Sequence, residues 1–431
     1  MLIDARSLGE LPRGFGLVVR LVIWGCPVSD DQLFFVPDRK LDYPVFDSDN
    51  HMYERTEAFT KFLPPRYDGI VKYVQESDNR TKLAVKDRIT RAIPNPTFVR
   101  VAPPGGRADD PLHRRSIGGL DGFFDVEPRY KLMTEFGIDR ALMWPTLASV
   151  IEQALPDDPL AVLAITHALN EWMHEHWTFG YEDTIYPTPA IALTTVEGAI
   201  RELEWVTERG ARIVYIRPAP VFGFGGPRSF ALPEFDPFWE AMQEKDVVVG
   251  VHNTVNLRYP VDLAELDGVA EAAGEFRQYG MGGRGGNPAF RALCTPRSFS
   301  SDIIASMVGH GMLTRFPRLK VVIVEHFTEW VRPMYRQFEE AWEKTPVLFD
   351  ENPLEVLRRN VWIHVFQEPK PVELIRLIGV DNSLFGSDFP HPEGLRDPLA
   401  FSEAITDLTA EEQQKVMGGN LAGLMGVSPS K

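Results

Sequence analysis

Cysteine is almost missing from this chain. Its 431 residues include only Cys26 and Cys294, which lie far apart in the sequence. Such a pair is too sparse for a disulfide scaffold and lacks the close spacing of a paired-cysteine metal site. We therefore expect two buried, reduced thiols in a cytoplasmic protein, because disulfides rarely persist in that compartment.

Positive charge is also scarce. The chain carries 45 Lys and Arg residues against 61 Asp and Glu residues, which gives a formal net charge of −16 at pH 7. No basic cluster stands out, and a nucleic-acid partner would need one, so we expect none. An acidic surface favours solubility. A pocket for an anionic substrate would therefore need an arginine of its own.

Long hydrophobic runs are absent too. The apolar segment at residues 15–26 is interrupted by Arg20 and is too short to span a bilayer. Acidic residues precede it, and no small-residue cleavage site follows it cleanly, so we expect neither a signal peptide nor a membrane-bound protein. We interpret residues 1–40 as an N-terminal arm or leader strand and residues 41–431 as one domain.

Strand and helix candidates alternate along most of the chain. Apolar runs such as Val247–Val251 are typical of strands that are covered on both faces. Strict alternation predicts parallel pairing, and eight such units predict an α/β fold of the (β/α)8 TIM-barrel type. An open doubly wound sheet is less favoured, because no strand is followed by a Gly-x-Gly-x-x-Gly turn. The predicted strands are 43–49, 140–144, 188–193, 211–216, 247–251, 320–324, 360–366 and 383–387.

Two segments interrupt this alternation. Residues 55–127, after the first strand, lack clear periodicity and contain proline- and glycine-rich stretches that are typical of loops. We interpret this segment as an irregular insertion after strand one. A second, glycine-rich segment at about 254–297 is interpreted as a long loop after strand five, and residues 299–315 as the helix that follows it.

Polar residues that can bind a metal stand at the carboxyl ends of several predicted strands. Asp49 and His51 end the first strand, His252 the fifth, Glu325 the sixth and Asp388 the eighth. The carboxyl ends of barrel strands converge on one face, so these residues should meet there. Asp49 and His51 lie two residues apart, which places both side chains on the same side of a strand. Carboxylates and imidazoles without thiolates predict a divalent metal such as zinc, iron or manganese.

Together these motifs resemble the amidohydrolase-related (amidohydrolase 2) branch of the metal-dependent amidohydrolase superfamily, which includes aminocarboxymuconate-semialdehyde and resorcylate-type decarboxylases. The resemblance extends from about residue 43 to residue 425. It is carried by an Asp-x-Asp-x-His-x-x-Glu pattern, a lone histidine after strand five, an apolar strand with a following tryptophan, and a Ser-Asp-Phe-Pro-His motif. In this chain these are Asp47, Asp49, His51 and Glu54; His252; 316–325 with Trp330; and 387–391.

The resemblance implies a role for each matching residue. Asp49 and His51 match the ligand pair of the first strand, and His252 matches the ligand of the fifth strand. Asp388 matches the carboxylate of the eighth strand, which binds the metal and relays a proton. Asp388, His252 and His391 are therefore the catalytic candidates. The resemblance also implies a homo-oligomer, or pairing with a paralogous barrel.

Two positions depart from the family pattern. The fourth strand ends in Tyr215-Ile216-Arg217-Pro218, without the Lys or Glu that binuclear members usually place there. Glu325 stands where many relatives have a histidine. One divalent metal is therefore favoured, with zinc ahead of iron or manganese. A second metal site, built with Glu325, His326 or His391, stays open as an alternative.

Substrate contacts are less clearly indicated. Arg217 ends the fourth strand and Arg258 lies six residues after His252; an arginine can bind a carboxylate through two parallel hydrogen bonds. The substrate-binding candidates are Arg217, Arg258, Trp330 and His391. Each has a structural alternative: Arg217 can pair with a neighbouring carboxylate, and aromatic residues commonly belong to the core. Glu54 is expected to tie down the first loop, and His364, within strand seven, is not counted in the site.

The leading hypothesis is a metal-dependent hydrolase or non-oxidative decarboxylase that acts on a small carboxylated or aromatic compound. In either reaction a metal-bound water or carboxylate is activated and Asp388 relays a proton. The ligand set does not separate hydrolysis from decarboxylation. The alternatives are a dinuclear iron or iron–manganese oxygenase on the same barrel and a non-catalytic barrel subunit that pairs with an active paralogue.

Overall fold

The computed structural model describes residues 40–428 except 77–79, 91–92, 94, 106–116 and 254–298. Four predictions therefore lie outside the described residues: residues 1–39 of the arm, both cysteines, the long loop after strand five, and Arg258 within that loop. Among the described residues, no helix is both long enough and apolar enough to cross a membrane.

The described strands and helices follow the predicted alternation closely. The strands are β1 Phe46–Met52, β2 Val71–Gln75, β3 Thr81–Val85, β4 Arg88–Ile89, β5 Arg100–Val101, β6 Ile117–Gly118, β7 Arg140–Pro145, β8 Ile185–Pro187, β9 Ile213–Ile216, β10 Val221–Gly223, β11 Gly226–Arg228, β12 Val248–His252, β13 Val321–Val324, β14 Val361–His364 and β15 Ser383–Leu384. The helices are α1 Val126–Phe136, α2 Ala148–Ala154, α3 Pro159–Trp177, α4 Val196–Glu208, α5 Asp236–Glu244, α6 Phe299–Gly309, α7 Met312–Arg315, α8 Val331–Lys344, α9 Pro353–Asn360, α10 Pro371–Ile378, α11 Phe401–Ala404, α12 Ala410–Gln414 and α13 Asn420–Met425.

The eight strands that alternate with helices pair in parallel in two sheets. One sheet has the order β1-β7-β8, and the other has the order β15-β14-β13-β12-β9. Backbone hydrogen bonds connect the edges of the two sheets: the His51 N–H donates to Phe389 O at 2.8 Å, and the Tyr215 N–H donates to Pro189 O at 2.8 Å. The bridges at both edges are parallel as well. The carboxyl ends of all eight strands therefore lie on the same face, as the sequence predicts.

Local signals explain several of these boundaries. Helix α3 begins at Pro159 because the Asp158 side chain accepts a hydrogen bond from the Ala161 N–H at 3.2 Å, and proline suits the first helical position. Helix α1 ends at Gly137, whose φ of 72° is left-handed, a conformation that glycine adopts at little cost. Every residue of β13 is buried, as expected for a strand that is covered on both faces.

Several predicted boundaries differ from those of the structure, and two of the differences have a visible local cause. The third parallel strand is β8, Ile185–Pro187, instead of 188–193. The Asn170 side chain accepts from the Ala190 N–H at 2.9 Å and donates to the Ala190 carbonyl at 2.8 Å, so a helix side chain takes the place of a second neighbouring strand. The predicted helix 299–315 is divided into α6 and α7 at Gly311, where φ is 69°.

The predicted irregular insertion contains regular elements of its own. Strands β2, β3 and β4 form a small antiparallel sheet, and β5 and β6 form a two-stranded ribbon. Tyr53, which directly follows β1, stacks on Phe98 of the insertion with ring centroids 4.1 Å apart. Its N–H donates to Phe123 O at 2.8 Å. The insertion therefore packs against the chain where β1 ends.

Candidate metal centre

The ends of β1 and β12 bring three of the predicted ligands together. The Nε2 atom of His252 lies 3.2 Å from Asp49 Oδ1, and the Nε2 atom of His51 lies 3.3 Å from the same oxygen. All three side chains are buried. Asp49 and His51 share one side of the strand because they are two residues apart. One ligand atom from each residue lies within 4.8 Å of the others.

A second group of ligand atoms joins the first through His51. Asp388 Oδ1 lies 3.5 Å from His51 Nε2 and 2.8 Å from His391 Nδ1. Glu325 Oε2 lies 3.5 Å from His252 Nε2, and His51, Glu325, Asp388 and His391 each place one ligand atom within 4.8 Å of the others. Asp388 and Glu325 have φ angles of 57° and 59°. Positive φ is uncommon for residues other than glycine and occurs preferentially at functional sites.

His364 also belongs to this site, although the sequence did not place it there. Its Nδ1 atom lies 3.3 Å from Asp49 Oδ2, and its Nε2 atom lies 3.1 Å from the Gly386 carbonyl oxygen. A Cβ atom at Gly386 would lie 2.6 Å from the Asp49 Cβ, so this glycine allows close approach. The available signal was position, since His364 is the last residue of its strand, as His252 is.

Asp47 joins the end of β1 to the segment that carries Asp388, and its position is not that of a metal ligand. Its Oδ1 accepts from the backbone N–H groups of Asp49 at 3.0 Å and Ser387 at 2.8 Å. Its Oδ2 accepts from Asn50 Nδ2 at 2.6 Å and from the Ser387 hydroxyl. Burial raises the pKa of Asp47 to about 6, although these hydrogen bonds oppose the increase. Asp47 therefore joins β1 to the segment that carries Asp388.

Arg129 supports the same strand end from helix α1. Its Nε donates to Gly122 O at 2.6 Å, and one terminal nitrogen donates to His51 O at 2.7 Å. The other terminal nitrogen donates to Asn50 Oδ1. The sequence analysis did not identify this residue. The available signal was its position on the buried face of α1, four residues before Met133, which is an unusual place for an arginine.

The electrostatics of the site suit a divalent cation. Burial raises the pKa of Asp388 and of Glu325 well above their ordinary values, and the neighbouring carboxylates raise them further. Burial alone would raise the pKa of Asp49 as well, but the three neighbouring histidines, His252, His364 and His51, lower it well below its usual range. Burial, followed by the charge of His391, lowers the pKa of His51, which favours the neutral, ligating imidazole.

The donor atoms also fit a metal ion. His51 Nε2 and Asp388 Oδ2 are buried and have no hydrogen-bond partner among the described residues. Buried polar atoms normally have partners, so their exceptions in a cluster of oxygen and imidazole donors indicate a cation. Such a mixed set suits zinc, manganese or iron.

Two predicted substrate-binding residues, Arg217 and Trp330, have hydrogen-bond partners within the protein. Arg217 Nη1 lies 3.4 Å from Glu152 Oε1, so the alternative of an ion pair is realised. Trp330 donates its Nε1–H to the carbonyls of His326 at 2.9 Å and Phe327 at 3.1 Å, and it is buried.

Two further side chains take structural positions. Glu54 accepts from the Leu147 N–H at 2.6 Å, which agrees with its expected role in tying down the first loop. His326 bonds to the Ser300 hydroxyl through Nδ1. Its other ring nitrogen, Nε2, is buried without a hydrogen-bond partner among the described residues.

Comparison with known proteins gives a consistent set of similarities. The sequence profile of a family described as Amidohydrolase (Amidohydro_2) matches residues 87–423. The chain is 24% identical to gamma-resorcylate decarboxylase of Polaromonas sp. (strain JS666) over 323 residues, which is 69% of this chain and 86% of that protein. A shorter match, 26% identical over 133 residues, covers 30% of this chain and 37% of 2-amino-3-carboxymuconate-6-semialdehyde decarboxylase of Dictyostelium discoideum.

Solved structures are similar over most of the chain. A crystal structure of an amidohydrolase from Mycobacterium avium subsp. paratuberculosis K-10 superposes with a TM-score of 0.78 at 32% identity, covering 90% of this chain and 99% of that one. A dihydroxybenzoic acid decarboxylase from Polaromonas sp. JS666, solved with manganese and the inhibitor 2-nitroresorcinol, gives a TM-score of 0.57 at 18% identity, covering 89% and 97%. The second likeness is one of fold.

Proposed function

The chain belongs to the amidohydrolase family and is an enzyme, and from this premise we propose that it is a metal-dependent, non-oxidative decarboxylase of a small aromatic carboxylate. The two curated relatives named above are both decarboxylases. Hydrolysis, which the sequence left open, finds less support among these relatives. The substrate class is inferred from those relatives. Because the chain as a whole is acidic, an anionic substrate would need a positively charged residue in its own pocket.

We also infer that the two parallel sheets form one (β/α)8 barrel. The inference is supported by the hydrogen-bonded bridges at both sheet edges, between Asn50 and Phe389 and between Ala190 and Tyr215. In barrels of this type the catalytic residues stand at the carboxyl ends of several strands. Asp49, His252 and His364 occupy such positions here.

The proposed ligands are Asp49, His51, His252 and Asp388, and one metal is the simplest occupancy. When bound, a divalent cation would polarise a substrate oxygen and neutralise charge that develops during the reaction. Zinc was favoured from the donor types, and manganese is bound in the Polaromonas decarboxylase structure. Both accept imidazole and carboxylate donors, and metal analysis of the purified protein distinguishes them.

The chain itself supplies the proton that decarboxylation consumes. Asp388 Oδ1 is hydrogen-bonded to His391 Nδ1 at 2.8 Å, while its Oδ2 is buried without a partner among the described residues. This pairing is the observation that carries the proposal. Asp388 would give its proton to the ring carbon that bears the carboxylate. The bond to the carboxylate carbon then breaks and CO2 leaves. His391, whose side chain is 15% exposed, can return a proton from solvent to Asp388.

A direct test is to load the protein with manganese or zinc and add 2,6-dihydroxybenzoate. We expect release of CO2, formation of resorcinol, and incorporation of deuterium at the former carboxylate position in D2O. His252→Ala should lose both bound metal and activity, whereas His310→Ala, an exposed histidine outside the site, should keep both. Stoichiometric metal in His252→Ala, or no CO2 from any hydroxybenzoate or carboxymuconate tested, would contradict the proposal.

A dinuclear oxygenase is the second candidate, because one observation favours it. Glu325, Asp388 and His391 form a second group of ligand atoms that shares His51 with the first. Two metals per chain and consumption of O2 with substrate would support this candidate. One metal per chain without O2 consumption would dismiss it.

A further inference from the structure

The carboxyl end of β9 carries two polar side chains next to the metal centre. Residues two apart on a strand share a face, so Tyr215 and Arg217 face the same way, as do Gly250 and His252 on β12. The register of these strands pairs Tyr215 with Gly250 and Ile216 with Val251, so Arg217 and His252 are the next residues along the two segments. The Trp144 ring lies near both His252 and Tyr215, with ring centroids 4.8 Å and 6.1 Å apart, respectively.

Helix α2 presents two matching polar side chains. Ser149 and Glu152 are three residues apart, so they lie on one face of the helix. Burial raises the pKa of the Tyr215 phenol and the nearby Ser149 hydroxyl opposes the increase, while Glu152 Oε1 accepts from Arg217 Nη1 at 3.4 Å. Arg217 is 7% exposed and Glu152 is 9% exposed. The ion pair is therefore shielded from bulk water.

Arg217 has far fewer acceptors than it has donors. A guanidinium carries five N–H donors, yet among the described residues the guanidinium of Arg217 makes one hydrogen bond, the long one to Glu152. Its Nε is buried and has no acceptor there. Buried donors normally have partners, so an exception beside a reactive centre indicates a place for an oxygen of the ligand.

We propose that Arg217 is the anion-recognition group of the substrate site. The edge formed by its Nε and Nη2 binds a carboxylate or phenolate oxygen of a small aromatic ligand through two parallel hydrogen bonds. Glu152 holds the guanidinium from the other edge and competes with the ligand for it. The Phe222 ring lies beside the guanidinium, with its centroid 5.8 Å from the Arg217 Cζ atom. The ligand class rests on the proposed function.

The test measures binding and does not depend on turnover. Metal-loaded protein is titrated calorimetrically with 2-nitroresorcinol, which has no carboxylate to lose, and with resorcinol, which lacks the nitro group. The variants are Glu152→Gln and the double variant Arg217→Met/Glu152→Gln, which leaves no buried charge unpaired. The matched control is Arg228→Met/Glu234→Gln, which makes the same two changes in an exposed ion pair with an N–O distance of 2.8 Å.

We expect the double variant to bind 2-nitroresorcinol about 10- to 100-fold more weakly, as is typical of losing hydrogen bonds from a charged group. Glu152→Gln should bind it as tightly as the wild type or several-fold more tightly, because a competing carboxylate is removed. The control should bind as the wild type does. If resorcinol binding also weakens, Arg217 contacts a phenolate oxygen. If it does not, Arg217 contacts the group at the carboxylate position.

Three results would overturn the proposal. The first is no binding of 2-nitroresorcinol to the wild type, and the second is unchanged binding in the double variant. The third is that Glu152→Gln and the double variant bind the ligand equally weakly and lose the same amount of thermal stability. The last would make the pair purely structural. Failure of the proposed decarboxylation is a separate result. It would appear as absent CO2 release while the dependence of binding on Arg217 remains.

Discussion

Two buried arginines, Arg129 of helix α1 and Arg217 just after β9, differ in how their donors are used. Arg129 directs all three nitrogens of its guanidinium to acceptors, the Gly122 carbonyl, the Asn50 amide and the His51 carbonyl. The guanidinium of Arg217 makes a single hydrogen bond, of 3.4 Å, to Glu152 within the part of the chain that the structure describes. The first arginine binds the scaffold, and the second has donors left for a ligand.

Hydrogen-bond partners therefore distinguish an arginine that supports the protein backbone from one that can bind a ligand in the same site. A fully hydrogen-bonded network rigidifies the groups that it connects, and it becomes costly when one member is removed. A buried donor without an acceptor destabilises the free protein, and it is tolerated where a ligand supplies the acceptor. Both residues are arginines and both are buried, at 0% and 7% exposure, so their hydrogen-bond partners are the main difference between them.

The largest expected effect is that of Arg129→Met on stability. The change leaves three buried acceptors without a donor, at about 1–3 kcal/mol each, so the free energy of unfolding should fall by at least about 3 kcal/mol. Urea denaturation measures this loss. Arg336→Met is the control, since that side chain is 82% exposed and should change stability by about 0.5 kcal/mol or less. Equal losses of stability in the two variants would contradict the supporting role of Arg129.

Glu54 extends the comparison to a buried carboxylate, one oxygen of which has no hydrogen-bond partner within the described ranges. Burial raises its pKa from 4.5 to about 7. The unfolded chain loses this proton near pH 4.5 while the folded chain keeps it, so the free energy of unfolding should fall as the pH rises through that window. The penalty is complete above about pH 7 and amounts to roughly 3 kcal/mol at 1.4 kcal/mol per pKa unit.

Glu54→Gln keeps the acceptor for the Leu147 N–H and has no proton to lose. Denaturation of both proteins at pH 5 and pH 8 isolates the effect, because other titrating groups cancel in the difference. The variant should gain on the wild type by up to roughly 3 kcal/mol between these pH values. A difference that does not change with pH would contradict the raised pKa.

Metal binding should stabilise the folded chain by a comparable amount. Asp49, Glu325 and Asp388 bring three carboxylates to one site, and a cation that binds only the folded state adds about 2.7 kcal/mol at 100 times its Kd. Thermal unfolding with a chelator and with added manganese or zinc measures the increment. It should vanish in His252→Ala and persist in Arg217→Met/Glu152→Gln. An equal increment in both variants would place the metal elsewhere.

The smallest expected effect is that of Arg217→Met/Glu152→Gln on stability. Replacing both members of a buried ion pair with neutral residues of similar size is often nearly neutral, because the cost of desolvating two charges disappears. We expect a change of about 1 kcal/mol or less. A loss as large as that of Arg129→Met would show that Arg217 also belongs to the scaffold.

The sequence predicted much of this arrangement because strand ends in parallel α/β folds converge. The position of His252 directly after an apolar strand was enough to place it beside Asp49 and His51, about 200 residues earlier in the chain. His364 stands at an equivalent strand end and was undervalued, since nothing local distinguishes a histidine that faces the site from one that faces a helix.

What the sequence determined by itself is therefore local. Apolar runs and helix-terminating signals such as Gly137 specified the elements and their order, and the order placed the predicted ligands on one face. The tertiary structure alone decided which polar groups meet. Asp47 bonds to Ser387 across 340 residues and Arg129 to Asn50 across 79, contacts that depend on register and packing. The same physics separates Arg129 from Arg217, because the number of acceptors around a guanidinium is a property of its surroundings.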